Sequence, residues 1–139
     1  MLYQATCVAI GGRGLLIDGP PGAGKSTLAL ALIDRGAALV GDDGVGLKDR
    51  GGRLWACPPP HTSGKLEIRS VGIVELSAVE APVALRLSLA PESPRFVEKI
   101  ATTTLNGIDI PSLSFAIGGP AEAVRAEYAL ALHGLPDPA

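Results

Sequence analysis

The run Gly19-Pro20-Pro21-Gly22-Ala23-Gly24-Lys25-Ser26 restricts what this chain can fold into more than any other stretch. It fits the phosphate-loop pattern G-x-x-x-x-G-K-[ST] at every position. The glycines allow backbone N–H groups to curl around phosphate oxygens, Lys25 supplies a point charge for the β- and γ-phosphates, and Ser26 offers a hydroxyl to Mg²⁺. A helix starting here directs its positive dipole end at the same anion. The flanks agree. Leu15-Leu16-Ile17 reads as a buried strand. Thr27 to Arg35 is rich in good helix formers and stops at Gly36. Strand, glycine-rich loop and helix therefore follow in the order the motif needs, so a bare glycine-rich turn explains less than a nucleotide site formed by residues 19–27. Glycine is abundant, at 18 of 139 residues, which is why the flanks matter.

Composition narrows the rest. At 139 residues the simplest organisation is one α/β domain over 1–139, with Gly134 to Ala139 expected as a frayed tail. Hydrophobic residues make up 47% and charged residues 19%, which suits a packed core rather than disorder. No apolar stretch is long enough to span a membrane, and the N-terminus lacks the basic start of a signal peptide, so a cytoplasmic location is expected. The net charge of -2, the lack of a basic run and 4% aromatic content argue against nucleic acid as a partner. Cys7 and Cys57 read as buried thiols rather than a disulfide or metal pair.

Along the chain, Tyr3–Ile10 and Arg13–Asp18 predict a hairpin about Gly11-Gly12. Helix 26–35 then leads to a strand at Ala38-Leu39-Val40, expected beside and parallel to Leu15–Ile17. A second hairpin is expected about Asp49-Arg50-Gly51-Gly52. Leu66–Ile68 and Gly72–Val74 read as short extended pieces. Residues 83–89 alternate, placing Val83, Leu85, Leu87 and Leu89 on one face. Residues 96–105 are read as a short helix and 113–116 as a last strand. A helix from Pro120 to about His133 carries Val124, Tyr128 and Leu132 on one stripe.

Two further segments carry chemistry. Asp42 and Asp43 follow the strand Leu39-Val40, at the carboxyl end where open α/β sheets bind ligands. One carboxylate can take the proton of an attacking hydroxyl, and the other can help hold the metal through water. An Asp-Asp-Gly turn is the plain alternative. In Glu67-Ile68-Arg69-Ser70-Val71-Gly72-Ile73, alternation puts Glu67 and Arg69 on one face of an extended segment, suited to metal and phosphate oxygens respectively. A surface charge pair has the same spacing.

The three segments together resemble the catalytic domain of HPr kinase/phosphorylase, in the short form known from α-proteobacteria. Gly19–Ser26, Leu39-Val40-Gly41-Asp42-Asp43 and Leu66-Glu67-Ile68-Arg69-Ser70-Val71-Gly72-Ile73 carry the likeness, the third being the most family-specific. The resemblance implies a phosphate-loop kinase fold like that of phosphoenolpyruvate carboxykinase, with a mixed sheet, a loop helix and a C-terminal helix. It implies ATP and Mg²⁺ as cofactors, the serine of HPr as acceptor, and a homo-oligomer, commonly a hexamer. Lys25 would bind phosphates, Ser26 and Glu67 would hold Mg²⁺, and Asp43 would accept the serine proton. Arg69 would serve the reaction in both directions, and Arg95 is a further candidate arginine. The chain departs from the family at Gln4, where the family has a histidine, at Ser70, and after Ile110-Pro111, where the basic segment for dephosphorylation is missing. These departures remove the support the likeness would give to phosphorylase activity. A non-catalytic ATP-sensing module and a small-molecule kinase are the alternative readings.

Overall fold

The computed structural model describes residues 1–138. Among them, eleven strands and two helices follow in the order β1 (Leu2–Tyr3), β2 (Thr6–Ile10), β3 (Arg13–Asp18), α1 (Lys25–Asp34), β4 (Ala38–Gly41), β5 (Val45–Arg50), β6 (Arg53–Cys57), β7 (Lys65–Ile68), β8 (Gly72–Glu75), β9 (Ala81–Ala90), β10 (Ala101–Leu105), β11 (Ile108–Ala116) and α2 (Glu122–His133). Nine strands form one mixed sheet that runs β1-β5-β6-β9-β3-β2-β4, with β11 and β10 branching from β9, while β7 and β8 form a separate hairpin.

The ten-residue β9 organises this sheet. One edge runs parallel to β3. The other pairs antiparallel with β6 at Ala81-Pro82 and parallel with β11 from Arg86 to Ala90. A strand of ten residues spans about 33 Å, enough for two short neighbours in tandem. Both faces are covered. On one, Val8, Leu15, Ile17, Leu85 and Leu87 meet Leu28 and Leu32 of α1 and Ala126 and Leu130 of α2. On the other, Cys7, Leu16, Val40, Val45, Leu47, Leu54 and Ile110 form a second core. Both cysteines are buried free thiols.

Several expectations are corrected here. The strand β4 does not lie beside β3. It pairs antiparallel with β2, which itself pairs antiparallel with β3, so β4 shares the direction of β3 from one strand away. The hairpin at Gly11-Gly12 takes one edge of β3 and β9 takes the other, leaving β4 only the outer edge of β2. The first strand is split, since Leu2–Tyr3 leaves to pair with β5. Val83 joins the second core while Leu85, Leu87 and Leu89 face the helices. A register shift causes this, with Gly14 opposite Val83 but Leu15 opposite Leu85, so the intervening Ala84 is a bulge that turns the strand over.

No helix forms over 96–105. Residues 101–105 are β10, paired with β11 across Asn106-Gly107, and β11 begins at Ile108 rather than 113. Asn106 and Gly107 have φ of 51° and 77°, the left-handed pair that closes a tight hairpin, and Thr102-Thr103-Thr104 is β-branched. On α2 the expected apolar stripe faces outward: Tyr128 is 66% and Leu132 77% exposed, and the buried face is Ala123, Ala126, Ala129 and Leu130. Small alanines let this helix approach the sheet and α1 closely. The tail is tied down as far as Pro136: Leu135 N donates to Ala84 O, while Arg13 and Arg53 donate to the carbonyls of Leu135 and Pro136. Residue 139 of that expected tail lies outside the described residues.

Candidate active site

The strand β3 ends at Asp18 and releases the loop Gly19–Gly24 directly into α1. The turn is tight, with Ala23 N donating to Pro20 O at 3.1 Å. Gly24 caps the helix at φ 103°, a backbone conformation that other residues adopt only under strain, which favours glycine there. No side chain caps α1, which leaves its first-turn N–H groups without intrahelical partners at the loop mouth. Lys25 Nζ reaches back to the carbonyls of Gly19 (2.7 Å) and Pro20 (3.2 Å), laying its charge along the loop.

The carboxylates stand opposite. Asp42 Oδ1 accepts from Ser26 Oγ at 2.6 Å and from Thr6 Oγ1 at 3.1 Å, and Oδ2 accepts from the backbone N–H of Glu67 at 3.2 Å. One carboxylate thus gathers the helix start, the sheet and the β7–β8 hairpin. Asp43 follows in the left-handed region, at φ 58°, with its side chain exposed and its N–H donating to Thr6 Oγ1 at 3.3 Å. A non-glycine residue held there is strained by about 1–3 kcal/mol, a pattern common at functional sites. Glu67 lies on β7, but Arg69 lies in the turn that follows rather than on the same extended face. The turn still brings both to one place.

That place is a cavity of about 370 Å³ lined by Thr6, Pro21, Gly22, Gly24, Lys25, Ser26, Thr27, Asp42, Asp43, Glu67 and Arg69. Phosphate-loop, Asp-Asp and hairpin residues therefore meet in one space. Pro20 and Ala23, with Leu89, Ala90, Pro91 and Ile117, line a smaller apolar hollow of about 250 Å³ beside the loop. Gln4 and Arg95 do not join the cavity. Gln4 is exposed between β1 and β2, and Arg95 is exposed in the segment before β10.

Among the described residues, no group of three or more His, Cys, Asp or Glu side chains forms a protein-only metal site. The oxygen donors of Ser26, Asp42 and Glu67 nevertheless suit Mg²⁺, which takes one or two protein carboxylates and completes its shell with water and phosphate.

Two features escaped the sequence reading. Thr6 is fully buried yet polar and holds both aspartates. Nothing in a single threonine at a strand start signals this. Behind the loop, Asp18 Oδ1 accepts from Gly19 N at 2.9 Å, and Oδ2 accepts from Arg86 Nη2 at 3.0 Å, from Arg86 Nε at 3.2 Å and from the Tyr3 hydroxyl. Burial pushes the Asp18 carboxyl up, but the hydrogen bonds from Tyr3 and Arg86 and the guanidinium charge outweigh it and hold it below the usual carboxylate range. Burial and the neighbouring carboxylate raise the Tyr3 hydroxyl. The signal was available: Arg86 interrupts an otherwise apolar run, and Asp18 stands between a buried strand and the loop.

Residues 1–84 match the family described as the HPr Serine kinase C-terminal domain. The HPr kinase/phosphorylases of Clostridium beijerinckii and Clostridium tetani are each 46% identical over 72 residues, 52% of this chain and 24% of each relative. The match thus spans about a quarter of the length of those relatives. In three dimensions the chain is similar to the Hpr(Ser) kinase/phosphatase from Coxiella burnetii, with a TM-score of 0.85 and 30% identity, over 96% of this chain and 90% of that one. With more than half of its length matched, and a structural relative that shares nearly all of its fold, the chain belongs to the HPr serine kinase C-terminal domain family.

Proposed function

We propose that this protein is an ATP- and Mg²⁺-dependent protein serine kinase acting on HPr. One observation carries the reading: Lys25, Ser26, Asp42, Asp43, Glu67 and Arg69, drawn from three separate segments, line one cavity. The loop and the first turn of α1 would cradle the phosphates, with Lys25 countering the β- and γ-phosphate charge. Asp42 orients the Ser26 hydroxyl, and Ser26 and Glu67 would hold the metal. When bound, Mg²⁺ supplies neutralisation of the charge that builds on the phosphate oxygens. Asp43, exposed at the rim, would accept the proton of the incoming serine hydroxyl. Arg69 would steady the transferring group from the hairpin side. Most of the rate would come from positioning and electrostatics.

The reading extends to a cytoplasmic homo-oligomer, the hexamer implied by the resemblance. Among the described residues, no helix is long and apolar enough to cross a membrane. Phosphorylase activity is left out because the segment after Pro111 continues as Ser112-Leu113-Ser114-Phe115 without an arginine. Titration with ATP and Mg²⁺ tests the core of the reading. Lys25→Ala should weaken nucleotide affinity at least about a hundredfold, the loss expected for a charged, partly desolvated contact. Unchanged affinity would reject the loop as the phosphate site.

A further inference from the structure

We infer that Asp18 and Arg86 are a positioning pair that sets the first peptide of the phosphate loop, and so the affinity for the nucleotide's phosphates. The inference rests on the reading of that loop as a nucleotide site. Gly19 is held from both sides. Its N–H donates to Asp18 Oδ1 at 2.9 Å, and its carbonyl accepts from Lys25 Nζ at 2.7 Å. The residue that presents the loop's charge is thus anchored on a glycine whose own amide is fixed by Asp18. Asp18 has little freedom in turn. Its second oxygen takes two bonds from Arg86 and one from Tyr3, and Arg86 Nη1 donates to Ser112 Oγ at 3.0 Å. The cluster joins β1, β3, β9 and β11, so the carboxylate is tied to the sheet at four strands.

Fold stability alone does not call for a charged pair at these positions. Arg86 and Asp18 have side-chain exposures of only 22% and 18%, and Arg86 sits in β9 between leucines that fill the core. An apolar pair of similar volume at such a site is commonly as stable or more so, because two charges must be desolvated to make the bridge. What an apolar pair cannot supply is a fixed acceptor for Gly19 N–H. Neither residue lines the cavity, so both act through the loop rather than on the nucleotide.

The test compares two double variants of the full chain by calorimetric titration with ATP and Mg²⁺, alongside their melting temperatures. Asp18→Asn with Arg86→Gln removes the charges but keeps an acceptor for Gly19 N–H. Its affinity should stay within about threefold of the parent. Asp18→Ala with Arg86→Met removes the acceptor and leaves an apolar pair that preserves folding. Its affinity should fall about tenfold, the value of one hydrogen bond. A purely structural role would shift melting temperature and leave affinity alone. Affinity within twofold of the parent for the apolar pair, or an equal loss in both variants, would overturn the inference. A parent chain that binds no ATP fails separately, by rejecting the nucleotide reading itself.

Discussion

Thr6 shows how much one hydroxyl can settle at this site. It is fully buried, donates to Asp42 and accepts from the N–H of Asp43, whose backbone is held at φ 58°. Asp42 in turn fixes Ser26 and the amide of Glu67. Replacing Thr6 by the near-isosteric valine leaves the packing volume but removes both bonds, and a bond to a charged group is worth about 1.5–3 kcal/mol. Thr6→Val should therefore lower the phosphotransfer rate at saturating ATP by about tenfold or more, with a much smaller change in ATP affinity. Thr6→Ser, which keeps the hydroxyl, should recover most of the rate. Rapid-quench transfer assays on the two variants separate these outcomes, and equal rates for valine and threonine would remove Thr6 from the positioning scheme.

At the scale of elements, the β7–β8 hairpin carries Glu67 and Arg69 to the cavity, and its base depends on Gly64. That residue has φ +77°, and a Cβ there would lie 2.3 Å from the carbonyl oxygen of Leu76, whose own N–H donates to Gly64 O at 2.7 Å. Gly64→Ala should cost about 1–3 kcal/mol and lower transfer activity, since the hairpin must shift. Gly51→Ala, at φ +64° with open space around it, bears only the backbone cost and should be milder. Thermal melts of the two variants compare them directly, and an equal fall would mean that the clamp at Leu76 is slack. Elements governed by local signals were readable from the chain: the β2–β3 hairpin from Gly11-Gly12, α1 from its run of leucines and alanines, β7 and β8 from short apolar pieces. What failed was non-local or misweighted. The place of β4 depends on β9, some forty residues later in the chain, taking the free edge of β3. The alanine face of α2 lost to the larger Tyr128 and Leu132, which point to solvent. The Asn106-Gly107 turn is a local signal for the β10–β11 hairpin, but the helix expected over 96–105 ignores it.

For the whole molecule, the sheet brings together what the sequence separates. Residues from three segments (Pro21, Gly22 and Gly24 to Thr27; Asp42 and Asp43; Glu67 and Arg69) line one cavity although β4 lies a strand farther from β3 than expected. The convergence is legible in sequence because each segment follows the end of its own strand or lies at a hairpin. Gln4 and Arg95, both exposed, lie outside that cavity. The proposed phosphotransfer is therefore assigned to the residues that do converge. The most direct test incubates the full chain with labelled ATP, Mg²⁺ and HPr, in parallel with Asp43→Asn. The account predicts phosphoserine on HPr with the parent chain, and a loss of at least about a hundredfold with Asp43→Asn while ATP affinity stays within about threefold. No phosphoserine from a parent chain that binds ATP, or full transfer by Asp43→Asn, would contradict it.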